Sequence, residues 1–502
     1  MGLMERIFGI SWGVHPDDHK RPAADVPLRR MPLPARLYVP LQQHVGGAGR
    51  PIVLVGQQVL KGQLLAEPQG NISAPIHAPT SGTVVAIGEV TAPHPSSLPF
   101  AAITIAPDNE DRWLETTGVA DPFALEPAEI TKLVAAAGVV GLGGATFPSS
   151  VKFSLGKRCE VTTLIVNGGE CEPYLSCDDR LMRDYAAEVI DGVRIIMHAI
   201  GARQALVGIE NNKPEATAAM KKAAEAFANI HIRPVPARYP MGSDKQLIQT
   251  LTGKEVPADC RAAELGVLVH NVSTACAVHR AVRLGQPLVE RIMTVNGGAV
   301  GKPGNLLVPL GALVEDILAC CEPLGEPVRL VMGGPMMGNL LPHGRVPVVK
   351  GTSGILAFNA AEAVTPEAGP CIRCGSCTKA CPMGLLPLEM AARVRAGDLT
   401  GADNYGLKDC IACGCCSYIC PSHIPLVQYF NHAKGELSAQ QRTKLRQDAT
   451  KVLAQARVER QEREVKEKAI AAAARKAARN AARAAAAAAT NAAASASEGA
   501  TT

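Results

Sequence analysis

Short apolar runs broken by proline and glycine fill the first part of the chain, among them Pro51–Val55, Thr83–Ile87 and Ala101–Ile105. Runs of this length between turn residues predict a β-rich module over residues 1–115. The period then changes. Over residues 116–295 helix-like and strand-like segments alternate. Pro127–Ala137 reads as a helix, VTTLIVNGGE (161–170) as a buried strand ending in a glycine turn, and Arg183–Ile200 as a helix with Val189, Val193, Ile196, Met197 and Ile200 on one face. Ala205–Ile209 reads as a strand, Lys213–Ala228 as a helix, and Leu265–Val272 as another strand with a helix after it to Leu284. Alternation of this kind predicts an α/β layer on a mainly parallel sheet. Residues 296–362 return to short strands around one helix, Ala312–Cys320, the pattern of a small β-grasp-like module. Residues 363–432 are dense in cysteine, and residues 433–502 turn helix-forming, then almost pure alanine with arginine and lysine. A Ser/Ala/Gly/Thr end to that tail predicts disorder. The fold class is multidomain α/β.

The cysteines change the picture most. CIRCGSCTKACP (371–382) and CIACGCCSYICP (410–421) each read C-x2-C-x2-C-x3-C-P. Thiolates are soft ligands suited to iron, and in this spacing the fourth cysteine of each run serves the other cluster. A ferredoxin-like domain with two [4Fe–4S] clusters follows. One would be held by Cys371, Cys374, Cys377 and Cys420, the other by Cys410, Cys413, Cys416 and Cys381. A pair of zinc sites is the competing reading, disfavoured by the duplication and the following prolines. Cys415 is a rival to Cys416, but the spacing to Cys413 and Cys420 favours Cys416 and leaves Cys415 as a packed thiol. The cysteines at 159, 171, 177, 260, 276, 320 and 321 show no ligand spacing and read as small hydrophobes.

Composition adds bounds. A chain of 502 residues with 47% apolar residues suggests about three or four domains at ~150 residues each. The net charge of +5 is concentrated in the tail. Between Lys451 and Arg483 stand ten Lys/Arg against four Glu. The nearly neutral remainder gives no reason to expect a nucleic-acid partner. Met1–Ile10 carries Glu5 and Arg6 and has no signal-peptide pattern, and no run of 18 apolar residues occurs. Sixteen cysteines are then expected to be metal ligands or free thiols rather than disulfides.

GLGGATFPSSVK (141–152) offers a turn whose backbone N–H groups can approach a phosphate, with Lys152 as a nearby cation; a glycine-rich loop can equally just turn the chain. NGGECEP (167–173) follows a buried strand, where open α/β sheets bind ligands, and offers Asn167 and Glu172; a solvated loop is the plainer alternative.

These two segments, with YPMGSD (239–244) and VHNVSTA (269–275), resemble in order four motifs of the flavin-bearing, NADH-oxidising subunit of respiratory complex I. GQQVLKGQLLA (56–66) and APIHAPTSGTVVAI (74–87) resemble the barrel-sandwich of biotinyl and lipoyl carriers. No hairpin of the modified-lysine type is present, so Lys61 reads as a turn residue. GVHPDDHK (13–20), ECEPYLSCDDRLM (170–182), VNGGAVGKPGNLLVPLG (295–311), VMGGPMMG (331–338) and the cysteine runs extend the resemblance. Over residues 10–432 the chain is similar to the family of C subunits of Rnf electron-transport complexes. That resemblance implies non-covalent FMN, with NADH as substrate. Gly141, Gly143, Gly144 and Lys152 would face the flavin phosphate and ring, Asn167 would bond the flavin, and Phe147 would stack on nicotinamide or adenine. Glu172 would contact NADH, acting with Lys152 in catalysis. Tyr239, Gly242 and Asp244 would line the flavin edge, and His270 and Asn271 its phosphate side. Leu142, Gly169, Ser243 and His270 depart from the complex I motifs, which have arginine, aspartate, glutamate and asparagine there.

The resemblance further implies a peripheral subunit on the cytoplasmic face of the cell inner membrane. Its partners would be integral membrane and iron–sulfur subunits of one complex, with ferredoxin at the other end of the electron path. NADH and ferredoxin would exchange electrons coupled to ion translocation. A non-catalytic ferredoxin-type conduit with a decayed flavin site is the alternative, and a diaphorase subunit of a soluble hydrogenase or formate dehydrogenase is a second one.

Overall fold

The computed structural model describes residues 11–94 and 96–498. Met1–Ile10, read above as lacking a signal, and the last four residues of the tail lie outside the described residues. The chain divides into two compact units, Met1–Phe430 and Asn431–Thr502.

The first unit opens with β1 (Arg29–Arg30), β2 (Leu37–Pro40), β3 (Arg50–Pro51), β4 (Gln58–Val59), β5 (Leu64–Glu67), β6 (Ile76–His77), β7 (Gly82–Thr91) and β8 (Pro99–Pro107). Two antiparallel sheets, β2-β8-β7-β4 and β3-β5-β6, enclose Val39, Leu65, Ile76, Val84, Ile103 and Ile105. This is the expected barrel-sandwich. Strand β1 does not belong to it, since Arg29 and Arg30 pair in parallel with Leu306 and Leu307.

Lys61 is more than a turn residue. It is 3% exposed, and its ammonium reaches Asp111 at 2.8 Å and Glu290 at 3.3 Å, with the Trp113 ring 5.0 Å away. The cation thus ties the sandwich to the strand that carries Glu290. Breaking a buried pair strands the partner charges. Because Asp111 is about one-third exposed, solvent screens part of that cost. Lys61→Met is expected to lower stability by about 2 kcal/mol, read as a drop in the thermal midpoint. An unchanged midpoint would show the clip to be neutral.

The α/β layer follows as α1 (Pro127–Ala136), α2 (Ser149–Arg158), β9 (Thr163–Gly168), α3 (Cys177–Asp184), α4 (Ala186–Ile200), β10 (Gln204–Glu210), α5 (Pro214–Ala224), β11 (Ile230–Val235), α6 (Asp244–Thr252), β12 (Val267–Asn271) and α7 (Val272–Arg283). The sheet order is β11-β10-β9-β12, all parallel. Strand β9 is buried throughout, as a parallel strand covered on both faces must be. The single helix expected over 183–200 is two, broken at Tyr185. Helices α2 and α6 and strand β11 escape the periodicity reading. In α2, Gly156 lowers helix propensity, but a Cβ there would lie 3.3 Å from that of Ile200, so the glycine lets the two helices pack closely.

Next come β13 (Glu290–Asn296), β14 (Gly304–Pro309), α8 (Val314–Ala319), β15 (Arg329–Met332), β16 (Asn339–Leu341) and β17 (Gly354–Phe358). The hairpin β13–β14, the helix, and β17 returning parallel to β13 with β15 on its far side form the β-grasp arrangement. The cysteine region contributes α9 (Ser376–Ala380), α10 (Pro387–Arg395), α11 (Leu399–Asn404) and α12 (Cys415–Tyr418). The tail helix α13 (Leu426–Glu498) begins inside the stretch first assigned to the cysteine domain, runs through the alanine segment as expected, and continues into the Ser/Ala end where disorder was expected. Alanine's high helix propensity accounts for that length. Among the described residues no helix is long and apolar enough to cross a membrane.

Candidate functional site

The chain lays down β9, β10 and β11 in one direction, then places β12 on the other side of β9. That reversal is a topological switch point, and ligands of open α/β sheets bind beyond the strand ends there. Asn167 lies one residue before the end of β9 and Asn271 ends β12, side by side in register. The glycine turn packs beside them, with Leu142 N–H donating to Thr274 Oγ1 at 2.9 Å near the start of α7. Gly143 and Gly144 are exposed. Gly144 sits at φ +109°, and nothing lies within 4 Å of where a Cβ would be. Gly141 closes the turn by donating to the Phe147 carbonyl at 2.8 Å, leaving Phe147 half-buried. An open glycine backbone between the N-termini of α2 and α7 suits an anion.

Lys152 donates from Nζ to the Val269 carbonyl at 3.2 Å. Its charge also acts on Asp244 and His270. Asp244 retains accessible surface yet is walled by protein, and this desolvation raises its carboxyl above the usual range, with Lys152 opposing. His270 is 2% exposed, and among the described residues neither ring nitrogen has a hydrogen-bond partner. Burial, then the Lys152 charge, push it well below its ordinary pKa, so the ring is neutral. An open anion cradle, a cation and an orphaned neutral imidazole in one place fit a bound phosphate-bearing cofactor.

Other predicted residues build the walls. Asn167 donates to the Gly242 carbonyl at 2.8 Å and accepts from Gly169 N–H at 2.9 Å, so both ends of its amide are engaged. Gly242 has no room for a side chain, since a Cβ would lie 2.5 Å from the Gly169 carbonyl oxygen. Asn271 caps α7 by accepting from Ser273 N–H at 2.8 Å and donates to Asp178 at 2.7 Å. Asp178 also accepts from Ser273 Oγ at 2.7 Å. Asp178 and Ser273 lie within the motifs but were not singled out.

Two predicted residues are held by protein groups. Tyr239 is enclosed. It is 2% exposed, and its hydroxyl donates to the Cys413 carbonyl at 2.6 Å. Apolar packing with Val14, Ala380, Cys413 and Cys415 holds it there. Glu172, expected to contact NADH, meets protein amides here. Its two oxygens accept from Met336 N–H at 3.0 Å and Met337 N–H at 2.9 Å, in the turn between β15 and β16. A Cβ on Gly334 would lie 2.2 Å from Glu172 Oε2, so that glycine makes room for the carboxylate. Burial raises the Glu172 pKa to about 7.

The same turn leads to the cysteines, because a Cβ on Gly414 would lie 3.2 Å from the Met336 carbonyl oxygen. Cys381, Cys410, Cys413 and Cys416 line one cavity, with Cys415 beside them. Cys371, Cys374, Cys377 and Cys420 line another. The two runs share a backbone design. Arg373 and Ala412 both have φ +55°, and Gly375 and Gly414 have φ +74° and +80°. Cys415 is fully buried, with Sγ 4.0 Å from the Tyr239 carbonyl oxygen, as a packed thiol should be.

Residues 8–110 match the RnfC barrel sandwich hybrid domain, 134–280 the Nuo51 FMN-binding domain, and 370–424 the 4Fe-4S dicluster domain. A chain of a NAD+-reducing [NiFe]-hydrogenase in the air-oxidized state is 26% identical, with TM-score 0.42 over 47% of each chain. The C subunit of the ion-translocating oxidoreductase complex of Erwinia tasmaniensis is 46% identical over 92% of this chain, which spans 57% of that relative's length. The corresponding protein of Serratia proteamaculans is 45% identical over 92% of this chain and 65% of its own. That of Rhodobacter capsulatus is 53% identical over 87% of this chain and 85% of its own. Identity at that level across nearly the whole of both chains, with an FMN-binding and a 4Fe-4S dicluster domain in place, makes this chain a member of the RnfC family, the C subunits of Rnf ion-translocating oxidoreductase complexes.

Proposed function

We propose that the chain is the NADH-handling subunit of its complex, exchanging electrons between NADH and FMN at the switch point and passing them singly through two [4Fe–4S] clusters. One observation carries this reading: the wall of the glycine-turn site and the shell of the second cysteine set share side chains, through Tyr239 to Cys413 and through Glu172 and Met336 to Gly414. Gly143 and Gly144 would cradle the phosphate, Lys152 and the neutral His270 would flank the cofactor, and Asn167 and Gly242 would hold the turns beneath it. When bound, FMN accepts a hydride as two electrons and a proton and releases electrons one at a time, which a cubane requires. The Lys152 ammonium beside the ring would favour its reduced, anionic form. Lys152→Ala is expected to lower flavin occupancy.

The second cysteine set, next to the glycine-turn site, would receive electrons first. The first set contains the exposed Cys371 and Cys374 and would pass them outward. Partners are integral membrane and iron–sulfur subunits, with a ferredoxin-type carrier at the other end and ion translocation coupled to the flow. The chain would sit peripherally on the cytoplasmic face of the inner membrane. The test is anaerobic addition of NADH to the gently isolated complex. Bleaching of a flavin absorption band, followed by cluster reduction, is expected. A complex without flavin on this subunit overturns the proposal.

One observation favours the conduit reading: Asn167 and Glu172 already have protein partners for their side chains. The same flavin measurement separates the two.

The basic stretch of α13 would attract anionic lipid at about 1 kcal/mol per charge near a surface. All of its described side chains from Lys451 onward are exposed to water, where salt screens such attraction. Deleting residues 451–502 is expected to leave assembly and electron transfer intact. Loss of the subunit from membranes on deletion would identify the tail as an anchor.

A further inference from the structure

The segment from Gly13 to Lys20 is the part of the sequence motifs that the site leaves unexplained. It runs as an irregular strap between the two halves of the proposed electron path. At one end Gly13 N–H donates to the carbonyl of Ala380, the neighbour of Cys381, at 3.0 Å. Val14 and Tyr239 exchange backbone hydrogen bonds at 2.9 and 3.0 Å. Gly13 has φ +85°, and a Cβ there would lie 2.3 Å from the Tyr239 carbonyl oxygen, so no other residue fits without a shift. Val14 is buried with Tyr239, Cys413 and Cys415.

At the other end Lys20 is 8% exposed, and its ammonium donates to three carbonyls of one turn: Glu170 at 2.9 Å, Glu172 at 2.8 Å and Leu175 at 2.5 Å. An ammonium has three protons, so its donors are matched and the turn's carbonyls converge on one point. Between these ends the Asp18 carbonyl accepts from Tyr174 N–H at 2.7 Å, and the His19 ring stacks on Tyr174 with centroids 4.7 Å apart. A methionine would pack as well without the cost of desolvating a charge. What the lysine adds is directional: it fixes three peptide groups of the turn in one arrangement.

We propose that the strap is the positioning element that sets the separation between the 170–175 turn of the glycine-turn site and the loop of the second cysteine set, with Gly13 and Lys20 as its fastenings. The inference rests on the function proposed above, since the separation matters only if electrons cross there. Neither residue touches substrate or cofactor. Both act through the elements they hold.

The test uses Lys20→Met and Gly13→Ala in the whole complex, isolated anaerobically with its partners. Electron transfer between groups that are not in contact weakens as their separation grows, so a shift of the turn against the cysteine loop is expected to slow NADH-driven cluster reduction several-fold. Flavin content and the rate of flavin bleaching by NADH should stay at wild-type values. Amide hydrogen exchange should quicken at residues 170–175 in the lysine variant and around residues 380 and 413 in the glycine variant. Cluster reduction at the wild-type rate in both variants overturns the proposal. So does unchanged exchange at both segments, a readout that needs no NADH chemistry. If Lys20→Met does not fold, Gly13→Ala decides alone. A wild-type complex whose flavin does not respond to NADH would instead defeat the proposed function, leaving the exchange result to judge the strap.

Discussion

Alanine at Cys420 is expected to abolish the cluster of Cys371, Cys374 and Cys377 and to spare that of its own sequence neighbours Cys410, Cys413 and Cys416. The reason is how the runs fold. Each places its first two cysteines on a tight loop with a left-handed residue and a left-handed glycine, and its third in the short helix that follows. The fourth cysteine lies beyond that helix, where the chain has reached the other cavity. Cys420 lines the cavity of the first set and Cys381 that of the second. Removing one thiolate leaves an iron corner without its protein ligand, so the whole cubane is at risk. The isolated Cys420→Ala subunit should hold about four iron atoms rather than about eight and lose one of two low-temperature paramagnetic signals after reduction. On the function proposed above, NADH should still bleach the flavin, because the spared cysteine set is the one next to the glycine-turn site, while flow through the complex stops. Loss of the same signal from Cys420→Ala and Cys410→Ala would show each run to be self-contained.

What the sequence disclosed depended on how far apart the interacting residues lie. The cysteine pattern was readable because all its members fall within one short stretch, and spacing alone carries the geometry. Strand β9 was readable because a strand buried on both faces is apolar without interruption. The position of the site was readable for the same local reason, since a glycine turn and a strand-end turn each announce themselves. The orientation of its side chains was not. Tyr239 is aimed by a carbonyl 174 positions further on, and Glu172 by amides 164 and 165 positions away. Lys61 looked like a turn residue because its partner Glu290 belongs to a different sheet. Lys20 carries no sign in its neighbourhood that it will gather three carbonyls from around residue 172. Long-range partners of polar side chains leave no periodicity to read, and these residues join the parts of the fold.

Glu172→Gln is expected to remove a pH dependence of stability that the wild type shows between weakly acidic and neutral conditions. Burial raises the pKa of this carboxyl from 4.5 to about 7, against the opposing pull of the Met336 and Met337 amides and of Lys20. The native state therefore holds its proton more tightly than the unfolded chain does. Below about pH 4.5 both states are protonated and the group costs nothing. As pH rises from there the unfolded chain ionises first, and stability falls until the native carboxyl also ionises near pH 7. The full cost, about 3 kcal/mol, is present above that. Glutamine cannot ionise; its amide oxygen can accept from one of the two N–H groups, while its NH2 faces the other donor to donor, a cost that does not change with pH. The thermal midpoint of the wild type should therefore fall more than that of the variant between about pH 5 and about pH 8, with the variant lower by a constant offset at the acid end. If the curves stay parallel, ionisation of Glu172 is not what burial resists. The same variant tests the contact with NADH. A carboxylate that leaves the Met336–Met337 turn to meet the dinucleotide would make Glu172→Gln raise KM for NADH at unchanged flavin content. A carboxylate that stays on the turn would leave KM alone and instead slow electron arrival at the second cysteine set, because the turn it holds is the one that touches Gly414.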